Sequence, residues 1–266
     1  MRNMLSVSKL PLEERLVLYQ KAIDMRNEER WGYVRIAREL RINSSAVRHW
    51  LHEGVKPRYR HDPPNLEPSP ALGYVIGVLL GDGCVYKKRR SPHRVLKLRV
   101  TSEIFANSFA EALRKLGFHA KRNFVPSKEP KRKNSYEVYA YSLFFYEWWQ
   151  GFKARFPSSL FRILKNKEHK LAFLRGFYES EGTTRTIERG TKSYRYIRMV
   201  NTGLPLVRTV KAILEELGYH PWLYMSRPPA SKWKALYALG LSRQVEVQKF
   251  IDEVSPVIKG GFMINA

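Results

Sequence analysis

Two ten-residue stretches constrain this chain more than any other feature. Residues 74–83 read Tyr-Val-Ile-Gly-Val-Leu-Leu-Gly-Asp-Gly, and residues 173–182 read Phe-Leu-Arg-Gly-Phe-Tyr-Glu-Ser-Glu-Gly. Each is mostly apolar and carries two small residues four apart, Gly77 with Gly81 and Gly176 with Ser180. Each closes on an acid followed by glycine, the acids being Asp82 and Glu181. Residues at i and i+4 share a helix face, so each stretch predicts a helix with a stripe that lacks bulk, where a second backbone can approach closely. Two such helices packed stripe to stripe carry both acids to one end of their interface. That end is the C-terminus of each helix, where the macrodipole disfavours a carboxylate. Carboxylates gathered there call for a cation, and a divalent metal is the natural one. One stretch alone reads as a buried helix stopped by glycine; its repetition is what carries the argument.

The stretches belong to a longer duplication. Asp82 and Glu181 stand 99 positions apart, and Leu98-Arg99-Val100-Thr101-Ser102 matches Ile197-Arg198-Met199-Val200-Asn201 at that offset. Leu116-Gly117-Phe118-His119 matches Leu217-Gly218-Tyr219-His220 at an offset of 101. Three landmarks in one order at nearly constant spacing mark an internal repeat. Each half reads as a motif helix, two strands, a helix ending at Leu-Gly, two more strands and a closing helix. In the first half, strands are predicted at 84–88, 94–102, 119–126 and 135–142, with helices at 103–116 and 144–156. In the second, strands are predicted at 183–188, 194–201, 220–227 and 233–241, with helices at 204–217 and 244–254. The expected class is α+β, built from two pseudo-symmetric αββαββα repeats.

A small all-α domain precedes them. Helices are predicted at about 11–28, 32–40 and 45–53, with Asn43 or Ser44 as the cap of the third. Two short helices around a tight turn suggest a helix-turn-helix, with Ser45, Arg48, His49 and His52 facing outward toward DNA. Five prolines between 57 and 70 mark a linker. The expected division is therefore 1–56, a linker at 57–70, and repeats at 71–157 and 158–266.

Charge points to the partner. Forty-eight Lys and Arg against 24 Asp and Glu leave a formal +24, which repels itself unless a polyanion accepts it. Nucleic acid is the expected polyanion. Lys87, Lys88, Arg89 and Arg94 surround the first hairpin turn, and Arg185, Arg189, Lys192 and Arg195 its counterpart. Lys131, Arg132 and Lys133 sit in another inter-strand loop, while Lys97, Arg99 and Arg198 alternate with aliphatic residues along the second strand of each half. Charged residues interrupt every apolar run, so no membrane-spanning helix is expected, and no signal-peptide pattern opens the chain. The single Cys84 excludes an internal disulfide and a cysteine-based zinc site. A cytoplasmic, nucleoid-associated protein of a prokaryote or archaeon is expected. The abundance of Arg, Lys and Tyr hints at a thermophilic source.

Over residues 71–255 the sequence resembles the single-chain LAGLIDADG homing endonucleases, through Val75-Ile76-Gly77-Val78-Leu79-Leu80-Gly81-Asp82-Gly83 and Leu174-Arg175-Gly176-Phe177-Tyr178-Glu179-Ser180-Glu181-Gly182. The resemblance implies that the motif helices form the central interface and that the two sheets form a saddle over duplex DNA. It implies that Asp82 and Glu181 bind Mg²⁺, with Mn²⁺ or Ca²⁺ as substitutes, aided by the main-chain carbonyls of Gly81 and Ser180. It also implies cleavage of both strands of a long target. The lysine or glutamine common near each acid in that family is missing here. Ser102, Arg185 and Asn201 are the candidates to support the acids instead. A free-standing monomer acting in intron homing is expected, with double-stranded DNA as partner and no small-molecule cofactor. The alternative is a non-cleaving DNA- or RNA-binding regulator, or an intron-splicing helper, on the same fold.

Overall fold

The computed structural model describes residue 7 and residues 10–57, 63–91, 93–131 and 133–258, with all side chains there except those of Arg189 and Lys192. Arg132, one of the expected DNA-contacting residues, lies outside the described residues.

Three helices open the chain: α1 (Leu12–Glu28), α2 (Tyr33–Glu39) and α3 (Ser44–His52). They enclose a small core of their own, in which Ala22, Ile36, Ala37, Ile42, Val47 and Trp50 are buried. The Trp50 ring stands edge-on to Tyr19 at 5.9 Å. Asn43 occupies the N-cap position of α3 but its side chain accepts from no helix N–H. Its amide instead donates to Ser45 Oγ at 2.6 Å, and its oxygen accepts from the Val7 N–H at 3.4 Å. The side chain is engaged in tying Val7 to the turn, which removes it from capping.

The proline-rich segment does not run free throughout. Pro64 is buried, Leu66 packs on the main core, and the Asn65 N–H donates to the Leu116 carbonyl at 2.8 Å. The segment ends at Ser69, whose Oγ accepts from the Leu72 N–H at 3.2 Å and caps α4 (Pro70–Leu80), with Pro70 in the first turn where its missing N–H is harmless.

After α4 come β1 (Cys84–Lys87), β2 (Arg94–Val100), α5 (Glu103–Lys115), β3 (Lys121–Val125), β4 (Ser135–Tyr141) and α6 (Leu143–Ala154). A short α7 (Ser158–Ile163), not expected from the sequence, joins the halves. The same order then recurs as α8 (Lys167–Glu181), β5 (Gly182–Arg189), β6 (Lys192–Asn201), α9 (Leu204–Glu216), β7 (Trp222–Arg227), β8 (Leu236–Leu241) and α10 (Gln244–Val254). Both sheets are four-stranded and antiparallel, ordered β1-β2-β4-β3 and β5-β6-β8-β7. The duplication read from three sequence landmarks is thus a duplication of topology, and the fold is the expected α+β. Several strand starts move: β3 begins at Lys121 rather than His119, β6 at Lys192 rather than Tyr194, β7 at Trp222 rather than His220, and β8 at Leu236 rather than Trp233, the last because Trp233 pairs with Ala230 in an isolated bridge.

Helices α4 and α8 meet backbone to backbone. A Cβ added at Gly77 would run into the Phe173 carbonyl oxygen and stand 2.8 Å from the Phe177 nitrogen. One at Gly176 would meet the Tyr74 carbonyl oxygen and stand 3.0 Å from the Val78 nitrogen. The glycine of each helix therefore seats the turn of the other, and one continuous hydrophobic core runs across the pair into both repeats. A polar network reinforces it. Glu179 is fully buried, and its carboxylate accepts from Tyr74 Oη at 2.5 Å, Arg175 Nε at 3.1 Å and the Val257 N–H at 2.8 Å. A buried carboxylate survives only with such a set of donors. Burial first, and then the Glu179 charge, push the Tyr74 hydroxyl well above the ordinary tyrosine range.

Gly77→Ala should lower the stability of the two-repeat unit by about 3 kcal/mol or more, since the collision is with backbone and no side chain can yield. An unchanged midpoint in urea unfolding would contradict this. Tyr74 gives a pH test. Its folded-state proton is held more tightly than in the unfolded chain, so its contribution to stability is complete below about pH 10 and is lost as pH rises above it. Tyr74→Phe should be less stable than wild type at pH 7, and the gap should narrow toward pH 11 in parallel unfolding curves.

Candidate functional site

Both acids fall at the same end of the helix pair. Glu181 is the last residue of α8, and Asp82 follows Gly81, the residue that ends α4. A Cβ at Gly81 would collide with the Ser180 side chain and stand 3.2 Å from Glu181 Cγ. The backbone that leads into Asp82 therefore lies directly against the stem of Glu181. Asp82 is exposed and Glu181 half-buried. Ser180 is buried, with its Oγ donating to the Gly176 carbonyl at 3.0 Å, so its side chain serves the helix.

The supporting candidates divide by what they touch. Asn201, at the end of β6, donates from Nδ2 to Glu181 Oε1 at 2.8 Å, while its oxygen accepts from the Gly203 N–H at 2.8 Å. Its amide is thereby fixed from both ends, and it fixes Glu181. Ser102, its counterpart at the 99-residue offset, has Oγ accepting from the Phe105 N–H at 3.3 Å and caps α5. Thr184 shares a hydrogen bond of 2.5 Å with the Tyr178 hydroxyl, and Arg185 is exposed on β5.

Among the described residues no three His, Cys, Asp or Glu gather into a metal cluster. The donors at this end are two carboxylates and neighbouring main-chain carbonyls, all oxygen. That chemistry fits Mg²⁺, Ca²⁺ or Mn²⁺ and does not fit zinc or copper.

Each sheet turns one face to its helices and the other outward. On β2, Leu96 and Leu98 are buried, while Lys97 and Arg99 lie on the outer face. Lys97 pairs with Glu137, and Arg99 Nε donates to Ser135 Oγ at 3.0 Å. On β6, Ile197 and Met199 are buried, and Arg198 Nη2 donates to Ser226 Oγ at 2.6 Å. Lys87, Lys88, Arg89, Lys131, Lys133 and Arg185 are exposed. Arg94 and Arg195 belong to the strand faces turned toward the helices. Arg94 lies over the Tyr146 ring of α6 at 5.2 Å, and the Arg195 main chain exchanges hydrogen bonds with Gln244 of α10. The backbone carries Arg189 and Lys192 as partners at the β5–β6 turn. In the N-terminal domain, Ser45, Arg48, His49 and His52 are exposed on one side of α3, and His49 meets Glu53 at 2.5 Å.

The sequence reading collected cations and passed over the aromatic residues of the outer faces. Tyr139 and Tyr141 on β4, Tyr194 and Tyr196 on β6, and Trp222 and Tyr224 on β7 all alternate at the two-residue period that places side chains on one face. That alternation was the available signal.

A sequence model of the LAGLIDADG-like domain matches residues 69–146 and 168–255, one segment for each repeat. The chain belongs to the LAGLIDADG-like domain family. Two relatives come from Methanocaldococcus jannaschii. The uncharacterized protein MJ0314 is 32% identical over 163 residues, which span 61% of this chain and 60% of that one. The uncharacterized protein MJ0398 is 25% identical over 236 residues, spanning 85% and 81% respectively. The chain thus covers less than two thirds of MJ0314. The LAGLIDADG fold is also that of I-DmoI in its complex with DNA and Ca, which superimposes with a TM-score of 0.50 at 21% identity, over 70% of this chain and 88% of that one. I-DmoI is a homing endonuclease. Among the described residues no helix is long and apolar enough to cross a membrane.

Proposed function

We propose that this chain is a site-specific endonuclease that makes double-strand cuts in a long DNA target by divalent-metal-dependent phosphodiester hydrolysis. The observation that carries the reading is the placement of Asp82 and Glu181 at one end of a glycine-seated helix pair, with a four-stranded sheet from each repeat. Membership of the LAGLIDADG-like family and the fold shared with I-DmoI, solved with DNA and with Ca, support it.

Asp82 and Glu181 would hold the metal, helped by the main-chain carbonyls of Gly81 and Ser180, with Mg²⁺ as the working ion and Mn²⁺ or Ca²⁺ able to take its place. A divalent ion held there would stabilise charge on the scissile phosphate and make a water a better nucleophile. The chain's own part is positional. Asn201 orients Glu181 through its 2.8 Å hydrogen bond, and the outer-face cations Lys97, Arg99 and Arg198 meet phosphates to set the register of the duplex. The N-terminal domain acts as a helix-turn-helix that presents Ser45, Arg48 and His49 from α3 to DNA beyond the saddle. One chain supplies both acids, so a monomer suffices for both strands.

The test is cleavage of a randomised duplex library with Mg²⁺ by wild type, Asp82→Asn and Glu181→Gln. Wild type should cut and neither variant should. Asn201→Ala removes a positioning group and leaves both acids, so it should slow cutting by about 10- to 100-fold without abolishing it. Sequence-specific binding without cutting under both Mg²⁺ and Mn²⁺ would overturn the enzyme reading in favour of a DNA-binding regulator.

A further inference from the structure

The outer faces of the two sheets are built differently at equivalent positions. In the first sheet Lys97 stands opposite Tyr139 across β2 and β4 and pairs with Glu137, two residues along β4; at the equivalent positions of the second sheet Arg198 stands opposite Gly240, with Ala238 where the acid was. An acid in one repeat is replaced by alanine in the other, and a tyrosine by glycine. The space is taken by an aromatic ring: a Cβ at Gly240 would stand 2.7 Å from Cη2 of Trp222, which therefore lies over β8. Trp222 stacks on Tyr224 with centroids 5.3 Å apart and planes 28° apart.

The result is an open cavity of about 420 Å³ on the second sheet, lined among others by Ile187, Tyr194, Tyr196, Arg198, Trp222 and Tyr224. Its counterpart on the first sheet measures about 260 Å³ and contains the Lys97–Glu137 pair. In the second cavity the guanidinium has no such acid opposite it. Arg198 uses Nη2 on Ser226, but its Nε–H is buried and has no hydrogen-bond partner. A buried donor without a partner is rare and marks a place for an acceptor. Rings with open faces, Tyr194 at 40% and Tyr224 at 51% exposure, surround it.

We propose that this cavity binds an unpaired nucleobase of a nucleic-acid strand, stacked on the Trp222–Tyr224 rings, with Arg198 donating to an acceptor on the base edge or its phosphate. Ring-to-ring stacking requires a base whose own face is free, which a base inside a continuous duplex stack does not offer. The inference rests on nucleic-acid binding by this surface and is independent of cleavage.

The experiment compares two duplexes identical except for a single unpaired 2-aminopurine in one, titrated with the full chain at low salt, together with the RNA versions of both. The bulged form should bind about 5- to 150-fold more tightly than the perfect duplex, the factor of one base–aromatic stack, and its 2-aminopurine emission should be quenched. Tyr224→Ala, at a half-exposed position, should lose that preference while keeping affinity for the perfect duplex. A preference seen with DNA assigns the pocket to an extruded deoxynucleotide, and one seen only with RNA assigns it to an unpaired ribonucleotide. Equal affinity for bulged and perfect forms of both, with emission unquenched on wild-type protein, would overturn the proposal. Binding of the perfect duplex, read in the same titration, reports separately on whether the surface takes nucleic acid at all.

Discussion

Everything in the two-repeat unit depends on one close approach, that of the α4 and α8 backbones through Gly77 and Gly176. Each glycine lets a turn of the partner helix sit where a side chain would otherwise stand. The contact is reciprocal, so it fixes both the separation and the relative phase of the helices. Their C-terminal ends are then held in register, and with them the residues that follow. The sheets inherit this order, since β1 and β5 leave directly from those ends. A bulkier interface would bury more apolar surface yet leave the distance between Asp82 and Glu181 less determined.

The second motif contains two acids with opposite roles. Glu179 and Glu181 are two positions apart on one helix, which turns them to roughly opposite sides. Glu179 goes inward, where Tyr74, Arg175 and the Val257 N–H surround it. Glu181 goes toward Asn201 and the end of the helix pair. The inward acid ties the segment after α10 to the centre of the molecule, and with it the end of the second repeat.

Much of this was legible in the sequence because it rests on periodicity. Spacing of four gave the glycine stripe, the 99-residue offset gave the repeat, and that offset also paired Ser102 with Asn201. What that offset could not show is that it grows to 101 beyond the turn of the first hairpin, so that Ser102 corresponds to Gly203 at the cap of α9 and not to Asn201. Asn201 has a long enough side chain and an N–H to reach Glu181, whereas Ser102 has a single hydroxyl that the first turn of α5 takes. Asn43 failed as a cap for a similar reason: a contact distant in sequence, from Val7, competes for the same oxygen. No periodicity shows the burial of Glu179, because it depends on donors from α4 and from beyond α10. The aromatic outer faces were readable at period two, but the width of the second cavity depends on Gly240 lying beside Trp222, a matter of strand order.

The docking of residues 64–66 on the first repeat has a geometric consequence. The chain is anchored near Leu116, so only the stretch between Pro57 and Pro64 can span the gap to the N-terminal domain. Fully extended, that stretch covers about 25 Å, close to the axial rise of about seven base pairs of duplex. The anchor of that stretch lies on the first repeat, near Leu116. A body built from two like halves thus carries its N-terminal domain from one of them, which makes its two ends inequivalent.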